Sequence, residues 1–157
     1  MEESIAYAKK YLEDLLSFFG LNTDIYASSS EGEVIELNIS STYLNGFLIG
    51  QHGETMRALQ FIVSNALRNN NYQITRVNID VADYKKARAN RLTETAQEWI
   101  KKVKQTGKDM ILKPMNSADR RTVHRVASEY GIGTQSIGEG RERHIVLKAN
   151  SVKNEDE

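Results

Sequence analysis

Cysteine is absent from this chain of 157 residues, which excludes disulfides and thiolate metal sites. The three histidines, His52, His124 and His144, are far apart in sequence and show no metal-ligand spacing. No apolar run approaches the roughly 20 residues that a membrane span needs, and the first residues do not form a basic signal sequence. We therefore expect a cytoplasmic protein without a metal, another cofactor or a membrane span.

The formal net charge of the chain is zero, which by itself argues against a nucleic-acid-binding protein. The charged residues are, however, unevenly distributed along the sequence. Residues 1–56 contain nine acids and two bases, a balance of −7, whereas residues 83–125 contain twelve Lys or Arg and five acids, a balance of +7. Such an asymmetry indicates one electropositive surface. The alternative is an ordinary solvated helix face, which we expect for some of Lys85, Lys86, Lys101, Lys102 and Lys104.

Hydrophobic periodicity in the first half predicts six elements. They are a helix over 2–19, strands over 23–27 and 33–40, helices over 43–50 and 53–69, and a strand over 74–81. The polar residues 28–32 are predicted to form the turn of a hairpin between the first two strands.

Two glycines, Gly50 and Gly53, stand between the two middle helices. Glycines end helices in many contexts, so this spacing also fits a tight helix corner with no ligand. Here Leu48 and Ile49 precede the pair, and an amphipathic helix that includes Met56 follows it. A loop without side chains at its ends lets a sugar-phosphate backbone approach closely, and the start of the next helix offers N–H groups to an anion.

The second half predicts a long helix and a small sheet. Its elements are a helix over 83–106 capped by Asp83, a strand over 109–113, a helix over 117–130 capped by Ser117, and strands over 134–138 and 144–148. No proline- or glycine-rich linker separates the halves, so the helix over 83–106 must itself connect them. The acidic tail over 150–157 is predicted to be disordered.

The helix over 117–130 carries a candidate binding platform. Its buried stripe is predicted as Val123, Val126, Ala127 and Tyr130. Arg120 and His124, four residues apart, lie together just off the edge of that stripe, where a guanidinium and an imidazole suit phosphate oxygens and stacked bases. Arg121 and Arg125 extend the positive charge around the outer face. The alternative is a packed boundary histidine among ordinary solvated arginines.

The order helix, strand, strand, helix, helix, strand, with a glycine pair between the middle helices, resembles a type II KH domain. Residues 114–124 resemble the signature of the R-three-H domain, an arginine followed by three residues and a histidine, and residues 136–146 resemble its closing glycine turn and last strand. The combination is similar to the bacterial Jag, or SpoIIIJ-associated, proteins. It covers residues 1–149 and implies an α+β chain of two three-stranded domains, a type II KH domain over 1–82 and an R-three-H domain over 83–149.

The resemblance implies a non-enzymatic regulator of cell elongation and division that binds single-stranded RNA. Single-stranded DNA stays open as an alternative ligand. It also implies a complex with a small single-KH-domain protein, and both a homodimer and a heterodimer stay open. The expected RNA contacts are the backbone N–H groups of Gly50, Gln51, His52 and Gly53, the groove or floor residues Leu48, Ile49 and Met56, and a second set, Arg120, His124, Arg121 and Arg125.

Two features depart from the family pattern. Many Jag proteins carry an additional N-terminal domain, whereas this sequence begins at the KH domain. Gln51 and His52 occupy positions where KH domains commonly place a basic residue. Together with the acidic first half, they favour a competing interpretation, a protein-interaction scaffold that uses the KH face.

A third interpretation is an enzyme with His124 as general acid or base. The sequence disfavours it, because it shows no clustered carboxylates of metal-binding appearance and no nucleophile beside a base.

Overall fold

The structure, a computed structural model, describes residues 1–30 and 33–149. The chain divides into two compact units, of which the first is Met1–Lys85 and the second begins at Lys86. The tail over 150–157 and part of the predicted turn over 28–32 lie outside the described residues. Among the described residues, no helix combines the length and the apolar character that crossing a membrane requires.

The first unit is built from three helices and a three-stranded sheet. Its elements are α1 (Glu2–Ser17), β1 (Ile25–Ser30), β2 (Val34–Ile39), α2 (Asn45–Ile49), a short 3-10 helix (Gln51–Gly53), α3 (Glu54–Asn69) and β3 (Arg76–Val81). The sheet has the order β1-β2-β3, with β1 antiparallel and β3 parallel to β2. Parallel neighbours need a crossover connection, which α2 and α3 provide. The predicted KH-type order of elements is confirmed.

One face of this sheet is buried under α1 and α3, because apolar and polar residues alternate along β2 and β3. The core includes Ala8, Leu12 and Leu16 of α1, Leu59, Val63 and Leu67 of α3, and Ile35, Leu37, Val77 and Ile79 of the sheet. Side chains of α3 also bond to the edge strand. Gln60 Oε1 accepts the N–H of Ile79 at 3.3 Å, and Ser64 Oγ donates to the carbonyl of Thr75 at 2.5 Å. These bonds hold α3 along β3.

Residues 28–30 form strand rather than the predicted turn. The ladder between β1 and β2 continues to Ser30 opposite Val34, and Ser30 Oγ donates to Glu36 Oε1 at 3.1 Å. Strand preference depends strongly on context, and the antiparallel partner satisfies the backbone groups of the serines. The first helix ends at Ser17, two residues before its predicted end.

The second unit is also a mixed α and β structure. Its elements are α4 (Tyr84–Thr106), which begins in the first unit, β4 (Met110–Ile111), α5 (Ser117–Glu129), β5 (Gly133–Ile137), a short 3-10 helix (Gly140–Glu142) and β6 (His144–Lys148). The sheet has the order β4-β6-β5, and both pairings are antiparallel. The second predicted three-stranded sheet is therefore present.

The core of the second unit lies between α4, α5 and this sheet. It includes Ala96, Ile100 and Val103 of α4, Val123, Val126 and Ala127 of α5, and Ile145 and Leu147 of β6. Tyr130 does not belong to it, contrary to the prediction, since the residue is 44% exposed. Tyr130 follows the last helical residue, and its ring lies beside α4, with the Lys104 ammonium 5.7 Å from the ring centroid.

A carboxylate that the sequence analysis did not select is bonded to the start of α4. Asp80 Oδ1, at the end of β3, accepts the N–H of Lys85 at 3.2 Å. Ala82 and Asp83 have positive φ angles of 50° and 54°, so the chain turns back toward Asp80 before the helix begins. Asp83 directly precedes the first residue of α4, and its role as the cap stays a prediction.

The first turn of α5 is anchored by two side-chain contacts. Asn116, rather than the predicted Ser117, is the cap, and its Oδ1 accepts the N–H of Asp119 at 2.9 Å. The Asp119 side chain is buried and binds Arg88 of α4 in two places, at 3.0 Å to Nε and 2.5 Å to Nη2. A bidentate pair of this kind fixes direction as well as distance, so it sets where α5 begins.

Replacing Asp119 with Asn should lower the free energy of unfolding by about 2 kcal/mol, because it removes the negative partner of a largely buried ion pair. Thermal denaturation should show a melting temperature lower by roughly 10 °C. Glu129→Gln is the matched control, because it removes a carboxylate from the exposed pair with Arg125 at 2.7 Å and should cost less than about 0.5 kcal/mol. Equal losses in the two variants would contradict the assignment.

Candidate nucleic-acid interface

The glycine loop, residues 50–53, requires glycine at its first position. Gly50 has φ 69° and ψ −177°, and a Cβ built there would lie 2.2 Å from Thr55 Oγ1 and 2.9 Å from Thr55 N. Gly53 has φ 80°, and His52 between them has φ 52°, also in the left-handed region. The turn leaves the side chains of Gln51 and His52 exposed.

The backbone N–H groups at the ends of this loop are used within the chain. The N–H of Gly50 donates to the Gly46 carbonyl at 2.9 Å, that of Gly53 donates to the Gly50 carbonyl at 3.3 Å, and that of Glu54 donates to the Gln51 carbonyl. Both glycine N–H groups therefore already have an acceptor within the chain, and their contact with a phosphate stays a prediction. What the glycines supply is the absence of side chains.

Two of the three predicted groove residues lie beneath the loop. Leu48 is 1% exposed and Met56 is 3% exposed, and both belong to the core of the first unit. Their side chains pack into the apolar core of the first unit. They therefore support the loop from below and present almost no surface to a ligand. Ile49 is half-buried and packs against the same core.

A cation that the sequence analysis did not select lies directly at the loop. Arg57 Nη1 donates to the carbonyl of His52 at 3.0 Å, and the Arg57 side chain is exposed. Its guanidinium has further N–H donors that can face a ligand. A fixed positive charge therefore stands beside the glycine loop, although neither residue 51 nor residue 52 is lysine or arginine.

A groove continues from Arg57 along the seam between α3 and β3. We call it the arginine groove, and its main lining residues are Arg57, Gln60, Phe61, Ser64, Arg68 and Arg76. The ring of Phe61 is 64% exposed. Three guanidinium groups and an open aromatic face are the chemistry that suits a strand of phosphates and bases. The signal in the sequence was the spacing of Arg57, Phe61, Ser64 and Arg68, which recur at helical intervals beside the apolar stripe of α3.

A second candidate site lies at the seam between α5 and β5. This R-three-H pocket is lined by Ser117, Arg120, Arg121 and His124 of α5, Thr134 and Ser136 of β5, and Ile145 of β6. Its volume is about 340 Å³, at the lower end of the range for small-ligand pockets. The structure thus brings together three of the four predicted residues of the second contact.

Hydrogen bonds hold the polar side chains of the R-three-H pocket in place. Arg120 Nη1 donates to the carbonyl of Met115 at 2.7 Å, which fixes the guanidinium near the N-terminal end of α5. His124 Nδ1 is in hydrogen-bond contact with Thr134 Oγ1. This contact orients the imidazole and links α5 to the edge strand.

Arg125 does not join this pocket. Its Nη1 binds Glu129 Oε1 at 2.7 Å on the exposed side of α5. The helical wheel places Arg125 about 100° beyond His124, on the outer face of α5, so its contribution to RNA binding stays a prediction separate from the pocket. Arg143, by contrast, donates from Nε to Ser136 Oγ at 2.9 Å and adds a cation next to the pocket.

The hydroxyl groups of the pocket were missed by sequence analysis. Thr134 and Ser136 alternate along β5 and therefore share one face of the strand. That alternation was visible, but which face meets α5 was not. Within residues 1–30 and 33–149, no three His, Asp or Glu side chains cluster closely enough to hold a metal ion.

The order of the elements is consistent with the predicted class of protein: a KH-type α+β module followed by an R-three-H module. Comparison with family models supports the second assignment directly, since residues 90–149 match the R-three-H domain family. The match begins within α4 and includes every residue of the R-three-H pocket.

Curated relatives span both modules. An RNA-binding protein KhpB of Bacillus subtilis is 30% identical over 148 residues, which cover 92% of this chain and 70% of that protein. Proteins of the same name from Clostridium symbiosum and Streptococcus pneumoniae are 30% and 31% identical over 89% and 92% of this chain. The chain belongs to the KhpB family, which confirms the Jag-type resemblance. It spans 64% of the Clostridium protein and 43% of the Streptococcus protein.

Replacing Gly50 with Ala should destabilise the first unit by about 1–3 kcal/mol or more, because the added Cβ meets Thr55 at a backbone conformation that L-residues avoid. Chemical denaturation followed by circular dichroism measures the loss. Gly46→Ala is the matched control: it lies in α2, a Cβ there meets nothing within 4 Å, and alanine favours helix by about 1 kcal/mol. A Gly50→Ala protein as stable as Gly46→Ala would contradict the described loop.

Proposed function

We propose that this chain is a non-enzymatic single-stranded RNA-binding protein that uses a KH module over residues 1–82 and an R-three-H module over 83–149. The observation that carries the proposal is the convergence of Arg120, Arg121 and His124 with hydroxyl groups in one pocket. The name of its relatives, RNA-binding protein KhpB, agrees with it. The cytoplasm is the proposed location.

In the KH module, the glycine loop admits the sugar-phosphate backbone because no side chain stands at its ends. Arg57 supplies the positive charge for the phosphate that reaches the loop. Further along the arginine groove, Phe61 offers a face for a base, and Arg68 and Arg76 bind the following phosphates. Gln51 and His52 contact the strand through their exposed side chains.

In the R-three-H module, Arg120 and Arg121 bind phosphate oxygens, since a guanidinium presents paired donors in the right geometry. His124, oriented by Thr134, supplies a ring for base or sugar contact. Serine and threonine hydroxyls can both donate and accept, so Ser117 and Ser136 suit a ribose or a base edge. Single-stranded DNA fits the same groups except at any contact to the 2′-hydroxyl.

A protein contact is the second candidate function, and one observation favours it. Several aromatic side chains of the first unit are exposed outside the arginine groove, among them Phe18 at 85%, Phe19 at 46%, Tyr43 at 80% and Phe47 at 52%. The rings of Phe19 and Phe47 lie 5.4 Å apart. Exposed clusters of this kind often mark interaction surfaces. A complex with a small single-KH-domain protein belongs to this part of the proposal, whereas a role in cell elongation and division belongs to the proposed RNA-binding function.

Replacing Gln51 and His52 together with Asp should weaken single-stranded RNA binding tenfold or more, about 1.4 kcal/mol, because two negative charges then face the phosphates. Fluorescence anisotropy with a labelled RNA measures the affinity, and circular dichroism checks the fold. Gln51→Asn with His52→Asn is the matched neutral control and should stay within about twofold, since asparagine tolerates a positive φ. Unchanged affinity in the Asp variant would show that the loop is not the contact.

Arg120→Ala and His124→Ala should each weaken RNA binding by roughly 0.5–2 kcal/mol, and the double variant should lose less than the sum because both groups hold one nucleotide. Arg125→Ala is the control from the same helix and should have a smaller effect, because it lies outside the pocket. Melting temperatures should change little in all four proteins. A His124→Ala protein that melts several degrees lower but binds RNA normally would make His124 a packing residue instead.

A further inference from the structure

Tyr130 and two lysines of α4 form a small open site in the second unit. We call it the Tyr130 site, and it is lined by Gln97, Ile100, Lys101, Lys104, Gln105 and Tyr130. None of these residues lines the R-three-H pocket, and neither the glycine loop nor the arginine groove includes them.

The tyrosine ring is held in place while part of its surface stays open. The backbone N–H of Tyr130 bonds to the carbonyls of Val126 and Ala127, both at 3.2 Å, so the end of α5 fixes the residue. Ile100, only 1% exposed, closes the floor of the site. The Lys104 ammonium stands over the ring at 5.7 Å from its centroid, within the range of a cation–π contact. A planar group can therefore reach the ring if the flexible lysine swings aside.

The surface of this site is mostly apolar, and four of its lining side chains end in an ammonium or an amide group. An aromatic face accepts a base by stacking, ammonium groups bind the flanking phosphates, and the amides of Gln97 and Gln105 can both donate to and accept from a base edge. Stacking of a base on an aromatic ring is worth more than a cation–π contact at an exposed position. When a base displaces Lys104 from the ring, the Lys104 ammonium can bind a phosphate instead, and the complex with RNA is more stable as a result.

We propose that the Tyr130 site is a further contact for single-stranded RNA, in which Tyr130 stacks on one base and Lys101 and Lys104 bind its neighbouring phosphates. The inference rests on the proposed RNA-binding function and adds a surface separate from the R-three-H pocket. It also assigns a role to part of the positive charge over residues 83–125.

The test uses the full chain and a labelled single-stranded RNA of about 20 nucleotides, long enough to reach more than one contact. Tyr130→Leu keeps an apolar side chain over Ile100 and should weaken binding about fivefold or more, whereas Tyr130→Phe keeps the ring and should stay within about twofold. Lys104→Gln should weaken binding about threefold and make its salt dependence shallower. Lys102→Gln, an exposed lysine on the same helix that does not line the site, should have a clearly smaller effect.

Two results would overturn the proposal: a folded Tyr130→Leu protein that binds as the parent does, or equal losses in Lys102→Gln and Lys104→Gln. If Tyr130→Leu does not fold, as judged by circular dichroism, the comparison of the two lysine variants decides. Failure of the proposed function looks different, because the parent chain itself would then bind no RNA. If the parent binds and Arg120→Ala weakens it while the Tyr130 and Lys104 variants do not, only the Tyr130 site is wrong.

Discussion

Each unit buries one face of a three-stranded sheet under two helices, and this constraint decides where polar side chains of those helices can lie. A helix packed on a sheet points its apolar stripe inward, so its polar groups reach a neighbouring strand only where the helix passes the edge of the sheet. In the first unit α3 meets the edge strand β3, and in the second α5 meets the edge strand β5. The arginine groove and the R-three-H pocket lie at these two seams.

Both seams hold an arginine in the same way. Arg57 donates to the carbonyl of His52, and Arg120 donates to the carbonyl of Met115. In each case one N–H of the guanidinium is used for a bond that fixes the group, and the planar fork retains other donors. Since neither group is neutralised by a carboxylate in these bonds, the charge stays available to an anion. Arg125, whose charge is paired with Glu129, shows the opposite arrangement.

Much of the fold could be predicted because its signals are local. Alternation along β2, β3 and β6 and helical periodicity in α3, α4 and α5 each involve residues close in sequence. The structure differs from the predictions where strand pairing, a turn or a helix end, rather than hydrophobic periodicity, decides the outcome. Ser30 is strand because β2 pairs with it, and Asp80 bonds the start of α4 because of a left-handed turn. Tyr130 has the right helical phase for the core, but the helix ends before it and leaves the ring at the surface.

The sequence by itself determined the order of elements, the two modules and the placement of Arg120 beside His124, because helical spacing fixes which side chains of one helix are neighbours. Only the tertiary structure decided which of these groups share a site. It brought Thr134 to His124, a contact between two elements of the second unit, and it placed Arg57 at the glycine loop. It also placed the side chain of Leu48 in the core of the first unit. Hydrophobic periodicity predicts the direction in which a side chain points from its own helix. Which side chains of other elements it contacts depends on how the elements pack.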